Sequence, residues 1–184
     1  MTDKLCGIDE AGRGPFAGPL VVAGVILNTP IDGLNDSKKL TEKKREKLFD
    51  TIKLNSSYHI VFTDNRTIDS LGLSLCLKNS IQEIMEHIDT TNFLMDGNTT
   101  FGIMNIKSLI KADATIPEVS AASILAKVSR DRYMIKISKE YPQYNFEKHK
   151  GYGTKAHIDA IIEHGYSDLH RKSFKIKRVE ALKK

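Results

Sequence analysis

The sequence predicts an α/β domain built on one mixed sheet, and three observations carry that prediction. Apolar segments at 5–8 and 20–27 are joined by a Gly- and Pro-rich turn, so two strands that pair tightly come first. After residue 40 the apolar spacing alternates between helical and strand periods. At 184 residues the chain can bury one core of useful size, and it is read as a single domain over 1–184 with a short basic segment at about 171–184.

Taken in order, residues 5–8 form the first strand and the β-branched run 20–27 the second. Residues 41–54 are charged outside, with Leu48, Phe49 and Ile52 at helical spacing and Thr41 as N-cap. A third strand covers 58–63. Apolar residues from Ile68 through Leu71, Leu75, Ile81, Ile84 and Met85 to Ile88 mark one helix face, which Gly72 can interrupt. Short strands follow at 92–95 and 105–110. A long helix begins after Asp113, where Thr115 and Glu118 have capping-box spacing and Pro117 suits a first turn; it runs to about residue 140, before Tyr141-Pro142. A last helix spans 155–164 and stops at Gly165. No repeat or low-complexity segment interrupts the chain.

Composition excludes several classes. Apolar residues make up 40% and charged residues 28%, the balance of a globular protein and not of a disordered one. The longest apolar run has strand length, well short of the ~20 residues of a membrane helix. Acids and arginine arrive before any signal-like apolar core, so no secretory leader is expected. Cys6 and Cys76 cannot build a disulfide framework and read as small core residues in a reducing cytoplasm. Net charge is +5, of which the last fourteen residues carry +6, from seven Lys or Arg and one Glu. That segment is either a counter-surface for phosphates or a solvated, solubilising end.

The chemistry sits in the acids. Asp9 and Glu10 end an apolar strand beside a turn holding Gly12, Arg13 and Gly14. Acids at a strand end are commonly just solvated, and a regular strand points neighbours to opposite faces, so both serve one site only if the backbone departs from ideal. The pattern recurs, however: Asp96 ends a second apolar strand before Gly97, and Asp113 lies beyond a third. All four fall at the strand-to-loop edge where α/β proteins build sites. Gathered carboxylates resist ionisation, and a divalent cation removes that cost. Hard Mg²⁺ or Mn²⁺ prefers such oxygen donors, and two ions ~4 Å apart serve phosphoryl transfer. Gly12, Gly14 and Ala17 match a dinucleotide fingerprint loosely, but a strand follows where a helix is required. His157 and His164 show no zinc spacing and read as lining a helix surface, and no nucleophile elbow is present.

Seven segments together resemble the type 2 ribonucleases H, the ribonuclease HII family. They are Gly-Ile-Asp-Glu-Ala-Gly-Arg-Gly-Pro at 7–15, Asp-Ser-Lys-Lys-Leu at 36–40, Met-Asp-Gly at 95–97 and Lys-Ala-Asp at 111–113. Ala-Ala-Ser-Ile-Leu-Ala-Lys-Val-Ser-Arg-Asp at 121–131, Lys-Gly-Tyr-Gly-Thr at 150–154 and His-Arg-Lys-Ser-Phe at 170–174 complete the set. The resemblance implies a ribonuclease H-like fold, a five-stranded mixed sheet flanked by helices. It implies that Asp9, Glu10, Asp96 and Asp113 bind Mn²⁺ or Mg²⁺ and catalyse in-line hydrolysis, leaving 3′-hydroxyl and 5′-phosphate ends. It also implies that Gly12, Arg13 and Gly14 read the ribose, that Tyr152 packs on the sugar at an RNA-to-DNA junction, and that Ser37, Lys38 and Lys39 contact phosphates. Arg171 and Ser173 are further substrate contacts on the same ground. Ser37, Lys38 and Lys39 also suit an ordinary polar loop, and Ala121, Ala122, Ser123 and Ala126 read as helix-to-sheet packing.

Substrates implied are RNA/DNA hybrids and duplex DNA carrying single ribonucleotides. A monomer is expected, with no membrane association and no evident protein partner; the short chain after residue 174 argues against clamp binding through a long tail. Ala112 stands where the family often has glycine, a change of little consequence. Two other readings compete: a non-catalytic nucleic-acid-binding module using the basic segment, and a DNA exonuclease or strand-transfer enzyme built on similar acids. A metal-free ribonuclease would instead leave cyclic phosphates.

Overall fold

The computed structural model describes residues 3–35, 37 and 39–181. Five strands form one sheet in the order β3-β2-β1-β4-β5: β1 (Leu5–Ala11), β2 (Leu20–Leu27), β3 (Ser56–Thr63), β4 (Asn92–Asp96) and β5 (Ile106–Leu109). β1, β2 and β3 pair antiparallel, while β1-β4 and β4-β5 are parallel. The mixed sheet therefore has an antiparallel half, in which the β1-β2 connection is short and the β2-β3 connection carries a helix, and a parallel half reached by crossovers.

Helices cover both faces: α1 (Glu42–Leu54), α2 (Asn65–Leu71), α3 (Leu73–His87), α4 (Pro117–Ser138), α5 (Phe146–His149), α6 (Lys155–His164) and α7 (Lys177–Ala181). Alternation along β2 divides the core. Leu20, Val22 and Ile26 pack with α3, whereas Val21, Ala23 and Val25 pack with α1 and α4. A third cluster, around Met134, Tyr144, Phe146 and Ile161, closes the C-terminal end. No helix among the described residues is long and apolar enough to cross a membrane.

Most expected elements stand where the spacing puts them. Thr41 caps α1 by accepting from the Lys44 N–H at 3.3 Å, and Leu48, Phe49 and Ile52 are its buried residues. Gly72, with φ +79°, separates α2 from α3. That break turns the apolar stripe, which is why Leu71 and Leu75 stay about half exposed (45% and 43%) while Cys76, Leu77, Ile81 and Ile84 are buried. The capping box expected at Thr115 and Glu118 does not form. Residues Ala112–Ala114 make a tight 3-10 turn that feeds straight into α4, so Ile116 is the N-cap and no side chain caps it. Cys6 and Cys76 are buried free thiols, as expected.

The packing of α4 on the sheet decides the rest. A Cβ at Gly7 would lie 2.3 Å from the Glu118 carbonyl carbon and from the Val119 nitrogen, so helix backbone rests on strand backbone. Ala121, Ala122, Ser123 and Ala126 continue this small, buried surface. The C-terminal half of β1 is thereby held rigidly beneath the first turns of α4.

Candidate active site

Asp9 lies in β1 on the face that Gly7 and Ala11 present to α4, and it is buried there. Its carboxylate is hydrogen-bonded to Ser123 of α4 and accepts from the Glu10 N–H at 2.8 Å. Contrary to the expected distortion, the ladder continues regularly through Glu10↔Val22 and Ala11↔Val21, because the turn starts only at Gly12. Glu10 therefore leaves the strand on the opposite face, where its Oε1 pairs with the exposed Arg13 guanidinium at 3.2 Å. The two side chains leave β1 on opposite faces, yet the charge on Glu10 acts on Asp9 more strongly than that on Asp96. The carboxylates thus approach each other at the strand end without any distortion of the backbone.

Asp96 ends β4. The parallel register Gly7↔Leu94 and Ile8↔Met95, carried one step further, sets Asp96 beside Asp9 on the same face. Its Oδ1 accepts from the Ala112 N–H at 2.8 Å, which ties the end of β4 to the turn carrying Asp113. Asp113 itself is buried within that turn, directly before α4.

Burial, then the charge on Glu10 and more weakly that on Asp96, push the Asp9 carboxyl well above the usual carboxylate range. Among the described residues no three His, Cys, Asp or Glu side chains stand at the spacing of a ready-made metal cage. The fit to a cation rests instead on donor chemistry: carboxylate oxygens whose mutual repulsion a divalent ion would reverse.

The turn after β1 is fixed from behind by two buried arginines. Arg171 donates from Nη2 to Gly12 O at 2.7 Å and Gly18 O at 2.9 Å, and from Nη1 to Arg13 O at 3.2 Å. Arg130 donates from Nε to Pro19 O at 2.9 Å, from Nη2 to Ala17 O at 3.0 Å and from Nη1 to Lys150 O at 2.9 Å. Such forked, charge-assisted bonds define a backbone path more firmly than neutral ones. Gly12 has φ +97°, and a Cβ there would strike Arg130 Nε at 2.4 Å. Gly14 differs: its Cβ would meet nothing within 4 Å. The protein's own packing does not require glycine at 14, whereas close approach of a ligand would.

The other expected contacts separate into two groups. Arg13, Gly14, Lys39 and Tyr152 are exposed, and the Tyr152 ring lies over the Arg130 guanidinium at 5.5 Å. Ser37 is buried, with its Oγ 2.8 Å from Ser123 Oγ, so it supports Asp9 through Ser123 and does not present itself to a phosphate. Arg171, expected at the substrate, is fully buried and shapes the Gly12–Arg13 turn instead, because its guanidinium is committed to backbone carbonyls. Ser173 is exposed, but its N–H and hydroxyl both donate to Asp69. Lys38 lies outside the described residues.

Sequence reasoning missed the supporting residues. Ser123 reads as packing, and Arg130 has a signal only in being an arginine on a helix whose neighbouring positions are small and buried. His157, expected on a helix surface, is fully buried and hydrogen-bonded to His170. A helical wheel cannot show that the segments around residues 149 and 170 fold over α6.

Comparison with known proteins agrees with this architecture. The ribonuclease HII family model matches residues 6–177. Ribonuclease HII of Aliarcobacter butzleri is 67% identical over 176 residues, covering 95% of this chain and 92% of the relative. Ribonuclease HII of Sulfurovum is 56% identical over 179 residues, covering 97% and 95%. Among solved structures, ribonuclease H2 of Pyrococcus horikoshii superposes with a TM-score of 0.80 at 26% identity, covering 98% of this chain and 99% of that one. Ribonuclease HII of Archaeoglobus fulgidus, seen in a complex with PCNA, gives 0.80 at 25% identity, covering 95% and 96%. By sequence over nearly its whole length and by fold, the chain belongs to the ribonuclease HII family, metal-dependent endonucleases of the ribonuclease H class.

Proposed function

We propose that this chain hydrolyses the RNA strand of RNA/DNA hybrids and cuts on the 5′ side of single ribonucleotides embedded in duplex DNA, leaving 3′-hydroxyl and 5′-phosphate ends. Asp9, Glu10, Asp96 and Asp113 would hold two Mg²⁺ or Mn²⁺ ions; Mn²⁺ is the ion in a solved complex of a distant neighbour, Bst-RNase HIII. Held by these carboxylates, divalent ions would supply activation of water and neutralisation of charge on the scissile phosphate. Ser123 orients Asp9, and the Asp96 bond to Ala112 orients the turn of Asp113. Gly12, Arg13 and Gly14 read the 2′-hydroxyl, which alone separates RNA from DNA at that position. Tyr152 packs on the neighbouring sugar, Lys38 and Lys39 meet phosphates, and Ser173 flanks the duplex. Ser37 and Arg171 support the site from within.

The observation that carries the reading is the open space at Gly14, on a turn locked by Arg171 and next to the strand end bearing Asp9 and Glu10. The protein is assigned to ribonucleotide removal in the cytoplasm, as a monomer whose partner is nucleic acid. The Archaeoglobus complex with PCNA describes that protein and assigns no clamp to this one. The test is a DNA duplex with one ribonucleotide, beside all-DNA and uniform-hybrid controls, with Mg²⁺, Mn²⁺ or EDTA and product ends mapped. Metal-dependent cutting 5′ of the ribonucleotide is expected. Cyclic-phosphate products, or cutting in EDTA, would overturn the mechanism.

A further inference from the structure

Behind Tyr152 lies a run of histidines that the hydrolytic chemistry does not use. His170 Nδ1 is 2.9 Å from the Ser167 N–H, which can only donate, so that nitrogen is an acceptor. His170 Nε2 then carries the proton and donates to His157 Nε2 at 3.0 Å. His157 in turn must carry its proton on Nδ1, which donates to the Tyr152 carbonyl at 2.9 Å. His149 stacks on His157 with ring centroids 4.4 Å apart; its Nδ1 accepts from the Gly151 N–H and its Nε2 donates to Tyr144 O at 2.8 Å. Every proton in this chain has one consistent place, and all three rings are neutral.

The chain's two ends are informative. One is the residue next to Arg171, whose guanidinium holds Gly12 and whose N–H donates to Phe16 O at 2.8 Å. The other is Tyr152, a residue 40% exposed whose ring packs over the second buried arginine. We propose that His157 and His170 are positioning residues that set the spacing between the Gly12–Gly14 turn and Tyr152, and thereby the preference for an RNA-to-DNA junction over a uniform hybrid. The inference rests on the reading of Tyr152 as the residue against the junction sugar.

The test compares the full chain with His157→Phe, His157→Asn and Tyr152→Ala on a single-ribonucleotide duplex and on a uniform RNA/DNA hybrid. His157→Phe should lower kcat/KM for the junction about tenfold more than for the hybrid, as expected for a recognition group displaced by a fraction of an ångström. His157→Asn places an amide N–H near the position of Nδ1 and should restore most of that ratio. A ratio unchanged in His157→Phe but shifted in Tyr152→Ala would overturn the positioning role while leaving Tyr152 as the junction reader. A ratio unchanged in Tyr152→Ala would overturn the reading of Tyr152 and this inference with it. Should His157→Phe fail to fold, imidazole ¹⁵N shifts of the unaltered protein decide. Nδ1-protonated His157 with Nε2-protonated His170 at pH 7 supports the relay, and any other pair of tautomers overturns it.

Discussion

Asp96 accepts the backbone N–H of Ala112 at 2.8 Å, so one candidate ligand holds the turn that carries another. Charge and hydrogen bonding at Asp96 can be separated. Asp96→Asn keeps an acceptor for Ala112 and should retain near-normal stability while losing cleavage. Asp96→Ala strands a buried donor and should also cost about 1–3 kcal/mol in a denaturant titration. Equal stability of the two variants would remove the supporting role.

Gly12 and Gly14 should behave as opposites although they flank one arginine. Alanine at 12 needs φ +97° and collides with Arg130, so Gly12→Ala should lose about 2 kcal/mol or more. Gly14→Ala faces open space and should melt within about 0.5 kcal/mol of the parent. Its kcat/KM on a single-ribonucleotide duplex should nonetheless fall roughly tenfold, because the new methyl group occupies the approach path. Unchanged cleavage by a stable Gly14→Ala protein would show that nothing comes close there.

At Gly7 the clash is with backbone, which cannot rotate away. Gly7→Ala should destabilise by about 3 kcal/mol, measured by thermal or denaturant unfolding. A small effect would mean that α4 can lift from β1.

The buried histidines make stability pH-dependent. Burial comes first among the causes that lower His157 and His170 to about 4, against 6.5 in an unfolded chain. Between those values the unfolded state binds more protons, so stability is full above about pH 6.5 and is lost as pH falls toward 4. Melting curves at pH 7.0, 5.5 and 4.5 should show a progressive fall in Tm. The fall should be shallower in His157→Asn, which has no imidazole to protonate. Parallel curves for the two proteins would rule the histidines out as its cause.

Asp9 acts in the opposite sense. Its carboxyl is held above the unfolded value of 3.8, so ionising it at neutral pH costs stability until a cation arrives. Asp9→Asn should therefore raise Tm in EDTA. Mg²⁺ or Mn²⁺ should stabilise the unaltered protein, by about 2.7 kcal/mol at a hundredfold excess over Kd, and the variant much less. Equal metal-induced shifts would place the ion elsewhere.

The fold was legible because its signals are local. Thr41 caps its own helix, Gly72 divides α2 from α3, and the β-branched run 20–27 is buried on both faces in the sheet interior. The four acids stood out as candidates because each lies at or just beyond the end of an apolar run. What escaped is non-local. Nothing near Arg171 announces that its guanidinium returns to Gly12, nor does His157 on a plausible surface helix announce His170. Ser37 looks like a loop hydroxyl until Ser123 comes beside it. The failed capping box has a local cause: Thr115 closes the 3-10 turn after Ala112, and the helix starts one residue later.

The bond from Arg171 to Gly12 spans 159 positions of the chain. On a ribosome, β1 and its turn emerge well before the guanidinium that shapes that turn. The nascent chain can assemble its sheet before residue 171 is available, yet the Gly12–Arg13 turn lacks those bonds until then. A product truncated before residue 171 would thus carry Asp9, Glu10, Asp96 and Asp113 without the bonds that shape the turn beside them. The shape of that turn thus waits on synthesis reaching residue 171, an ordering in time that follows from where one arginine sits.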